Sequence, residues 1–234
     1  MRQMRIDFNE EKHEYTVDGE KVPSVSEILF PLSAEQYGGI NPIVLQEAAR
    51  RGRIVHELCE AVDNGLDLEE DEEAMEFAPY VDAYYAFLID HEVEWEMSER
   101  IVWMPRFAPQ GSPDSDNVVY AGTVDRFGEV DGEMAVVDIK TYASLSTDSQ
   151  MTTSCQTQLY KDAVFWTRGD NTEWAYDSIK RFILHLKKDG KYRLVDLDSF
   201  DEARGWNSGA VARELTQLWW QKQAARNAGR KKKK

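Results

Sequence analysis

The sequence predicts a mixed α/β (α+β) fold in which a central mixed β-sheet is flanked by helices. Long stretches of helical apolar periodicity alternate with short strand-like runs, in the order helix, three strands, helix, two strands, helix. Pairs of these runs are joined by Asp-Gly, the strongest short-range signal of a β-hairpin. The chain has no internal repeat and no long linker, so one domain over residues 1–234 is the simplest organisation.

Each element has its own start or stop signal. An N-terminal extension over about 1–40 contains a predicted hairpin followed by a short helix, which begins at the capping box Ser24-Val-Ser-Glu27. The later helices are expected at about 41–64, 72–91, 147–167 and 200–225, with weak points at Gly205 and Gly209. Strands are expected near 6–8, 14–17, 93–103, 122–130, 133–141, 179–187 and 191–197, and a polar loop over 105–117.

Composition indicates a folded protein that does not span a membrane. Aromatic residues make up 11% of the chain and include seven Trp, which argues against wholesale disorder. No apolar run approaches the roughly 20 residues that cross a bilayer, and the N-terminus has no apolar signal core, so we expect a cytoplasmic protein. The two cysteines, Cys59 and Cys155, lie in helical patterns far apart in sequence, so we expect buried thiols and not a disulfide. Two cysteines cannot supply the four ligands of an iron–sulfur cluster.

Charge is distributed unevenly along the chain. The net charge of −15 by itself argues against a nucleic-acid partner. Residues 1–179 carry 13 Lys and Arg against 37 Asp and Glu, whereas residues 180–234 carry 15 against 6. The basic C-terminal tail, over about 226–234, suits equally a nucleic-acid-binding arm and a solubilising end.

The most informative segment is the predicted hairpin about Asp131-Gly132. A two-residue type I′ turn pairs positions whose numbers sum to 263, so that Asp125 faces Asp138. Lys140 projects from the same face as Asp138, because side chains alternate along a strand. Facing carboxylates destabilise a strand pair, and their place beside a lysine therefore indicates a cation site suited to metal-assisted hydrolysis, most obviously of a phosphodiester. A three-residue turn would remove the facing pair.

Two helices and one strand carry further candidates. Gln156 and Tyr160 lie one turn apart on the helix after the hairpin and can point together at a phosphate; taken alone, Tyr160 reads as a core residue and Gln156 as a surface residue. His56 follows a cluster of arginines at 50–53, and its imidazole would move metal preference from Mg²⁺ towards Mn²⁺. Glu99 reads equally as an extra carboxylate of the site and as a solvated strand end.

These motifs occur in an order that resembles the PD-(D/E)XK nuclease superfamily. The motifs are His56, Gly122-Thr-Val-Asp125, Asp138-Ile-Lys140-Thr141 and Gln156-Thr-Gln-Leu-Tyr160. Each is weak alone, but the four in this order are fairly specific. The resemblance covers roughly residues 14–165 and is nearest to the RecB-like branch, which includes phage exonucleases. It implies a restriction-endonuclease-like core.

The resemblance also implies a role for each residue. The metal ligands would be His56, Asp125, Asp138 and the backbone carbonyl of Ile139. Lys140 would orient or help to deprotonate the attacking water, and Gln156 and Tyr160 would position the phosphate or the metal-site residues. The cofactor would be Mg²⁺ or Mn²⁺. The four-cysteine cluster of several relatives is absent, so no iron–sulfur cluster is implied.

The function implied is that of a metal-dependent DNA nuclease, and the branch implies an exonuclease acting on DNA ends in recombination, repair or phage replication. DNA would be the partner, with a recombination, annealing or helicase protein or a homo-oligomer as further associations. Phosphate charge would be met by Arg50, Arg51, Arg53, Arg126 and the basic C-terminal quarter. Two alternatives stay open: a non-catalytic DNA-binding or assembly protein on a nuclease fold, and a hydrolase of RNA or another phosphate ester.

Overall fold

Two β-sheets organise the chain. The computed structural model describes residues 5–68, 71–107, 113–169 and 173–231. The smaller sheet is antiparallel and contains β1 (Ile6–Asn9), β2 (Glu14–Val17) and β3 (Glu20–Val22). The larger sheet contains β4 (Val93–Phe107), β5 (Pro113–Val130), β6 (Glu133–Lys140), β7 (Lys180–Leu186) and β8 (Tyr192–Asp196), in that spatial order.

The larger sheet is mixed, as the sequence predicts. Strands β6 and β7 run parallel, whereas the other neighbouring pairs are antiparallel. A parallel pair requires a crossover connection, and helices supply it here. The helices are α1 (Val25–Tyr37), α2 (Pro42–Asp63), α3 (Glu72–Glu76), α4 (Ala78–Asp90), α5 (Thr147–Arg168), α6 (Glu173–Ser178), α7 (Leu197–Arg204) and α8 (Ser208–Lys231).

The helices cover both faces of this sheet, and each face has its own core. Helices α1, α5 and α8 bury one face through residues such as Ile28, Leu159 and Val136. Helices α2 and α4 bury the other face through residues such as Val55, Phe87 and Val137. Neighbouring residues of β6 therefore belong to different cores, because side chains alternate across a strand. The predicted α/β architecture, a central mixed sheet flanked by helices, is confirmed.

The hairpin register that defines the candidate site is the predicted one. Asp131 and Gly132 both have positive φ angles, 52° and 80°, as a type I′ turn requires. The ladder between β5 and β6 runs from Val130 opposite Glu133 to Arg126 opposite Val137. The two-residue turn is therefore confirmed, and the pairing that it imposes holds for every position of this ladder.

The N-terminal segment is joined to the larger sheet rather than lying apart from it. The capping box of α1 is present, since the Ser24 hydroxyl accepts from the Glu27 amide and the Glu27 carboxylate accepts from the Ser24 amide, both at 3.0 Å. Ser24 pairs with Ala121 of β5, and the Ala121 amide donates to the Pro23 carbonyl at 3.1 Å. The Tyr15 hydroxyl lies 2.7 Å from the hydroxyl of Thr123.

Four sequence-based boundaries were wrong or incomplete. Strands β4 and β5 extend into the predicted loop over 105–117, of which 108–112 lie outside the described residues. The helix predicted over 72–91 is broken at Phe77, before Pro79, and the last helix is broken at Gly205, whose φ of 60° ends α7. Helix α6 was not predicted.

The organisation as one domain with an extension and a tail stays a prediction. No helix within the described ranges is long and apolar enough to cross a membrane.

Replacement of Gly122 by alanine should destabilise the fold. An added Cβ would lie 2.8 Å from Cε1 of Tyr160 and 3.0 Å from Cγ2 of Val25, so we expect Gly122→Ala to lower the free energy of unfolding by about 1–3 kcal/mol. Denaturant unfolding measures this change. Gly229→Ala is the control, because a Cβ there meets no described atom within 4 Å and alanine favours the helix. Equal losses in both variants would contradict this packing.

Candidate active site

The end of the β5–β6 ladder brings Asp125 and Asp138 together in a nearly dry environment. They occupy the first positions beyond the last paired residues, and their exposed fractions are 8% and 1%. Oδ2 of Asp125 accepts a hydrogen bond from the amide of Ile139 at 2.8 Å. This bond holds the Asp125 side chain across the gap that opens where β6 separates from β5.

Asp138 is paired with Lys140. Nζ of Lys140 lies 2.5 Å from Oδ2 of Asp138, whereas Oδ1 has no hydrogen-bond partner among the described residues. Burial raises the pKa of Asp138 to about 6, against the opposing effect of the Lys140 ammonium. Burial acts to lower the pKa of Lys140, but the Asp138 carboxylate raises it well above its usual value. Lys140 is therefore a fixed cation at this site.

Gln156 and Tyr160 reach the same site from α5, as predicted, but in different ways. Oε1 of Gln156 accepts from Nζ of Lys140 at 3.3 Å. Tyr160 is buried, and its ring lies against Gly122. Burial raises the pKa of the Tyr160 phenol well above its usual value, and the charge of Asp125 adds to this effect. Gln156 thus contacts a charged group of the site, whereas Tyr160 contributes a neutral, packed phenol.

His56 and Glu99 form the other side of the site. Nδ1 of His56 lies 3.2 Å from Oε1 of Glu99 and 3.7 Å from Oδ1 of Asp125, and its Nε2 lies 3.0 Å from the carbonyl oxygen of Ile139. Burial disfavours the charged ring, but the carboxylates of Asp125 and Glu99 outweigh it and raise the pKa of His56 to about 9. The imidazole thus contacts both Asp125 and the carbonyl predicted to share a metal with it.

Glu99 belongs to this cluster, although the sequence left its place open. One possible ligand atom from each of His56, Glu99 and Asp125 lies within 4.8 Å of the others. The predicted metal set contained Asp138 in place of Glu99. Glu99 has a φ of 44°, in the left-handed region that a glutamate rarely adopts. No sequence pattern marks this backbone conformation, so the second carboxylate beside His56 could be recognised only in the folded chain.

Arg126 is not available to a phosphate, contrary to the sequence-based expectation. Its side chain is fully buried; Nε donates to Asp63 at 2.7 Å, and Nη1 lies 3.2 Å from Oε1 of Glu99. Nη1 also donates to the carbonyl of Asp125 at 2.6 Å. The guanidinium therefore contacts Glu99 and the Asp125 backbone from the buried side of the site. The sequence placed Arg126 next to Asp125 but gave no sign that Asp63, at the end of α2, would be its partner.

The other arginines of the predicted cluster differ in their accessibility. Arg50 is held by Glu76 through two contacts of 2.8 Å, and Arg53 lies 3.3 Å from Glu57. Arg51 lines a cleft of about 840 Å³ between α1, α2 and the segment after β6. His56 and Lys140 line the same cleft, so Arg51 is the arginine of the cluster on the approach to the catalytic candidates.

The fold and this set of side chains define a restriction-endonuclease-like protein with a candidate site for a divalent metal. The family model of the PD-(D/E)XK nuclease superfamily matches residues 33–230, and the chain therefore belongs to this superfamily. Its members use divalent metals and bind nucleic acid.

Other comparisons add little to this assignment. No curated protein sequence matches the chain. A solved structure described as the crystal structure of SSO0001 is similar at 13% identity and a TM-score of 0.40, covering 84% of this chain and 75% of that one. That likeness is too distant to support a conclusion about function.

Binding of a divalent cation should stabilise the folded protein. We expect Mn²⁺ to raise the melting temperature, because a ligand that binds the native state alone adds about 2.7 kcal/mol at a hundredfold excess over its dissociation constant. Asp125→Asn should abolish the rise. Glu99→Gln and Asp138→Asn then show which carboxylate completes the ligand set. Asp189→Asn, in an exposed turn, is the control, and an unchanged rise in Asp125→Asn would contradict the site.

Loss of Arg126 should destabilise the fold strongly. Arg126→Gln would leave the buried carboxylate of Asp63 without its cation, and such losses cost about 3–5 kcal/mol. The exposed Arg53, one turn from Glu57, provides the control, since Arg53→Gln should cost at most about 1 kcal/mol. Unfolding in denaturant measures both. An Arg126→Gln protein as stable as the control would show that the Arg126–Asp63 contact contributes little.

Proposed function

We propose that this chain is a metal-dependent DNA nuclease that hydrolyses phosphodiester bonds. Membership of the nuclease superfamily supports the reaction class. The observation that carries the proposal is the buried Asp138 carboxylate, whose Oδ2 faces the Lys140 ammonium while Oδ1 has no partner among the described residues. A buried carboxylate oxygen without a partner costs free energy, so the folded chain gains no stability from it. A bound cation would supply the missing partner.

The donor set fits Mg²⁺ or Mn²⁺. Asp125 and His56 would hold the ion, with the carboxylate of Glu99 or Asp138 and the carbonyl of Ile139 completing the set. Carboxylate and carbonyl oxygens suit Mg²⁺, and the imidazole of His56 favours Mn²⁺. When bound, such an ion lowers the pKa of a coordinated water and stabilises charge on the reacting phosphate.

Lys140 has the charge and the position required of an electrostatic partner for a reacting phosphate. Its pKa is raised, so that its ammonium stays protonated at neutral pH, and it donates to the Gln156 amide oxygen at 3.3 Å. A positioned cation of this kind stabilises the negative charge that develops in the transition state. Lys140 also orients the attacking water by donating a hydrogen bond.

The phosphate backbone would approach through the cleft that Arg51 and Lys140 line. Arg51 donates weakly to Thr141 at 3.4 Å, so its guanidinium lies at the cleft wall with donors left for a phosphate. By the resemblance to the RecB-like branch, we propose that the enzyme is an exonuclease that acts on DNA ends in recombination, repair or phage replication.

Loss of the Lys140 ammonium should abolish cleavage. We expect Lys140→Ala to lower the rate by about 100-fold or more, as loss of a single transition-state-stabilising group does. The assay compares linear duplex, single-stranded and closed circular DNA and RNA, with Mn²⁺ and with Mg²⁺. Lys180→Ala is the matched control, because Lys180 is a partly exposed lysine 3.9 Å from Glu133.

Each outcome separates one reading from the others. Cleavage of linear DNA alone supports the exonuclease, whereas cleavage of circles makes the protein an endonuclease. Cleavage of RNA alone would make the protein a ribonuclease. No cleavage of any substrate by a folded, metal-binding protein would contradict the enzyme and favour a DNA-binding or assembly protein.

A further inference from the structure

A second groove lies between the β1–β2 turn, the first half of α1 and α8. Its volume is about 540 Å³. The side chains that matter here are Lys12, Phe30, Leu218, Trp219, Lys222 and Arg226. We call it the α8 groove. None of these residues belongs to the site around Asp138 and Lys140, and the proposed chemistry does not use them.

The α8 groove has an apolar, aromatic part. Phe30 is 65% exposed, and Leu218 is 37% exposed. Trp219 is half-buried and packs edge-to-face on Trp220, with ring centroids 5.0 Å apart. Trp220 is itself held, because its indole donates to the carbonyl of Val119 at 3.1 Å. Trp219 is therefore a positioned aromatic ring at the groove, supported by a neighbour that cannot easily rotate away.

The same groove is basic, in a chain whose net charge is −15. Lys222 and Arg226 are exposed and lie one turn apart on the face of α8 that carries Trp219, since positions three, four and seven residues apart share a helix face. Lys12 contributes from the opposite wall. Among the described lining residues the one acidic side chain is Glu27, which shares the Lys21 ammonium with Glu14, each at 2.9 Å.

We propose that the α8 groove binds a single strand of nucleic acid. Lys222 and Arg226 contact its phosphates, and a base stacks on Trp219 or Phe30. Aromatic platforms beside a basic track are the physical requirements for such binding without sequence preference. The basic pair complements a polyanion, and the exposed aromatic rings beside it favour one that carries bases. The choice of nucleic acid among polyanions rests on the proposed function.

One edge of the groove adjoins the strand that carries Asp125. Ser24 lines the groove and pairs with Ala121 of β5, four residues before Asp125. At about 3.3 Å per residue this separation along the strand is about 13 Å. The near edge of the groove, at Ser24, thus lies on the order of 13 Å from the Asp125 backbone along β5.

Binding is tested in the full chain carrying Lys140→Ala, in EDTA, so that no cleavage occurs. Fluorescence anisotropy measures the affinity for a labelled oligo-dT and for an abasic oligonucleotide of the same length across a salt series. We expect Trp219→Ala to weaken oligo-dT binding at least fivefold and to leave abasic binding within about twofold, because only bases stack. Trp219→Phe should restore most of the affinity, which separates stacking from a loss of fold.

Neutralisation of the basic pair should act differently. Lys222→Gln with Arg226→Gln should weaken both oligonucleotides and reduce the slope of log affinity against log salt by about 1.4, since each phosphate contact contributes about 0.7 for a single strand. Lys188→Gln with Lys191→Gln is the matched control, because both lysines are exposed on the turn between β7 and β8. It should leave affinity and slope unchanged.

Three results would overturn the inference. The first is an equal loss of affinity in the Lys188 and Lys191 control pair. The second is an equal loss of oligo-dT and abasic binding in Trp219→Ala. The third is conversion of an oligomer to a monomer by the Lys222 and Arg226 changes, which would make the groove an interface between copies of the chain. Failure of the proposed function is distinguishable, because it appears as intact oligo-dT binding without cleavage by the wild-type chain. Cleavage by the wild-type chain together with binding that does not depend on the groove residues would overturn the proposal for the groove and leave the proposed function standing.

Discussion

The register of one hairpin determines where every charged group of the site lies. Asp131 and Gly132 adopt the two positive φ angles of a type I′ turn, and the ladder from that turn carries Asp125 and Asp138 to the same end of β5 and β6. A slip of one residue would move Asp138 and Lys140 to the face covered by α2 and α4. The core on that face is aliphatic and aromatic, and burial of two further charges in it would cost free energy. The turn and the core thus enforce one arrangement together.

Burial gives these charges their properties and also makes them costly. Asp138 is 1% exposed and has the Lys140 ammonium as its counter-ion, whereas Asp125 accepts from the Ile139 amide. Close ionic contacts in a poorly hydrated region repay only part of the desolvation penalty. The fully buried Arg126 adds a compensating positive charge behind Asp125 and Glu99. The site is therefore a locally unstable arrangement that the rest of the core holds in place, as is common where function opposes stability.

Short-range rules predicted the hairpin, the α1 capping box and the course of α2 and α5, because each depends on residues close in sequence. The same rules placed Asp125, Asp138 and Lys140 on one face, since side chains alternate along a strand, whereas the place of Gln156 beside them came from the resemblance to the nuclease superfamily. They failed where long-range packing decides. Glu99 reaches His56 only through a left-handed backbone, and Arg126 meets Asp63 from an element about 60 residues away. Strands β4 and β5 extend through polar sequence because two neighbouring strands keep exchanging backbone hydrogen bonds.

The pairing of Ser24 with Ala121 has a consequence for the order in which the molecule assembles. The contact joins positions about a hundred residues apart. Because closing so long a loop costs conformational entropy, we expect this contact to form late in folding. During synthesis the first strands leave the ribosome long before β5 exists, and they can form only their own small sheet. Ala121 in turn keeps an unpaired amide at a strand edge until Pro23 arrives, and such edges invite pairing with other chains. The N-terminal segment therefore covers part of a strand edge of the central sheet that could otherwise pair with another chain.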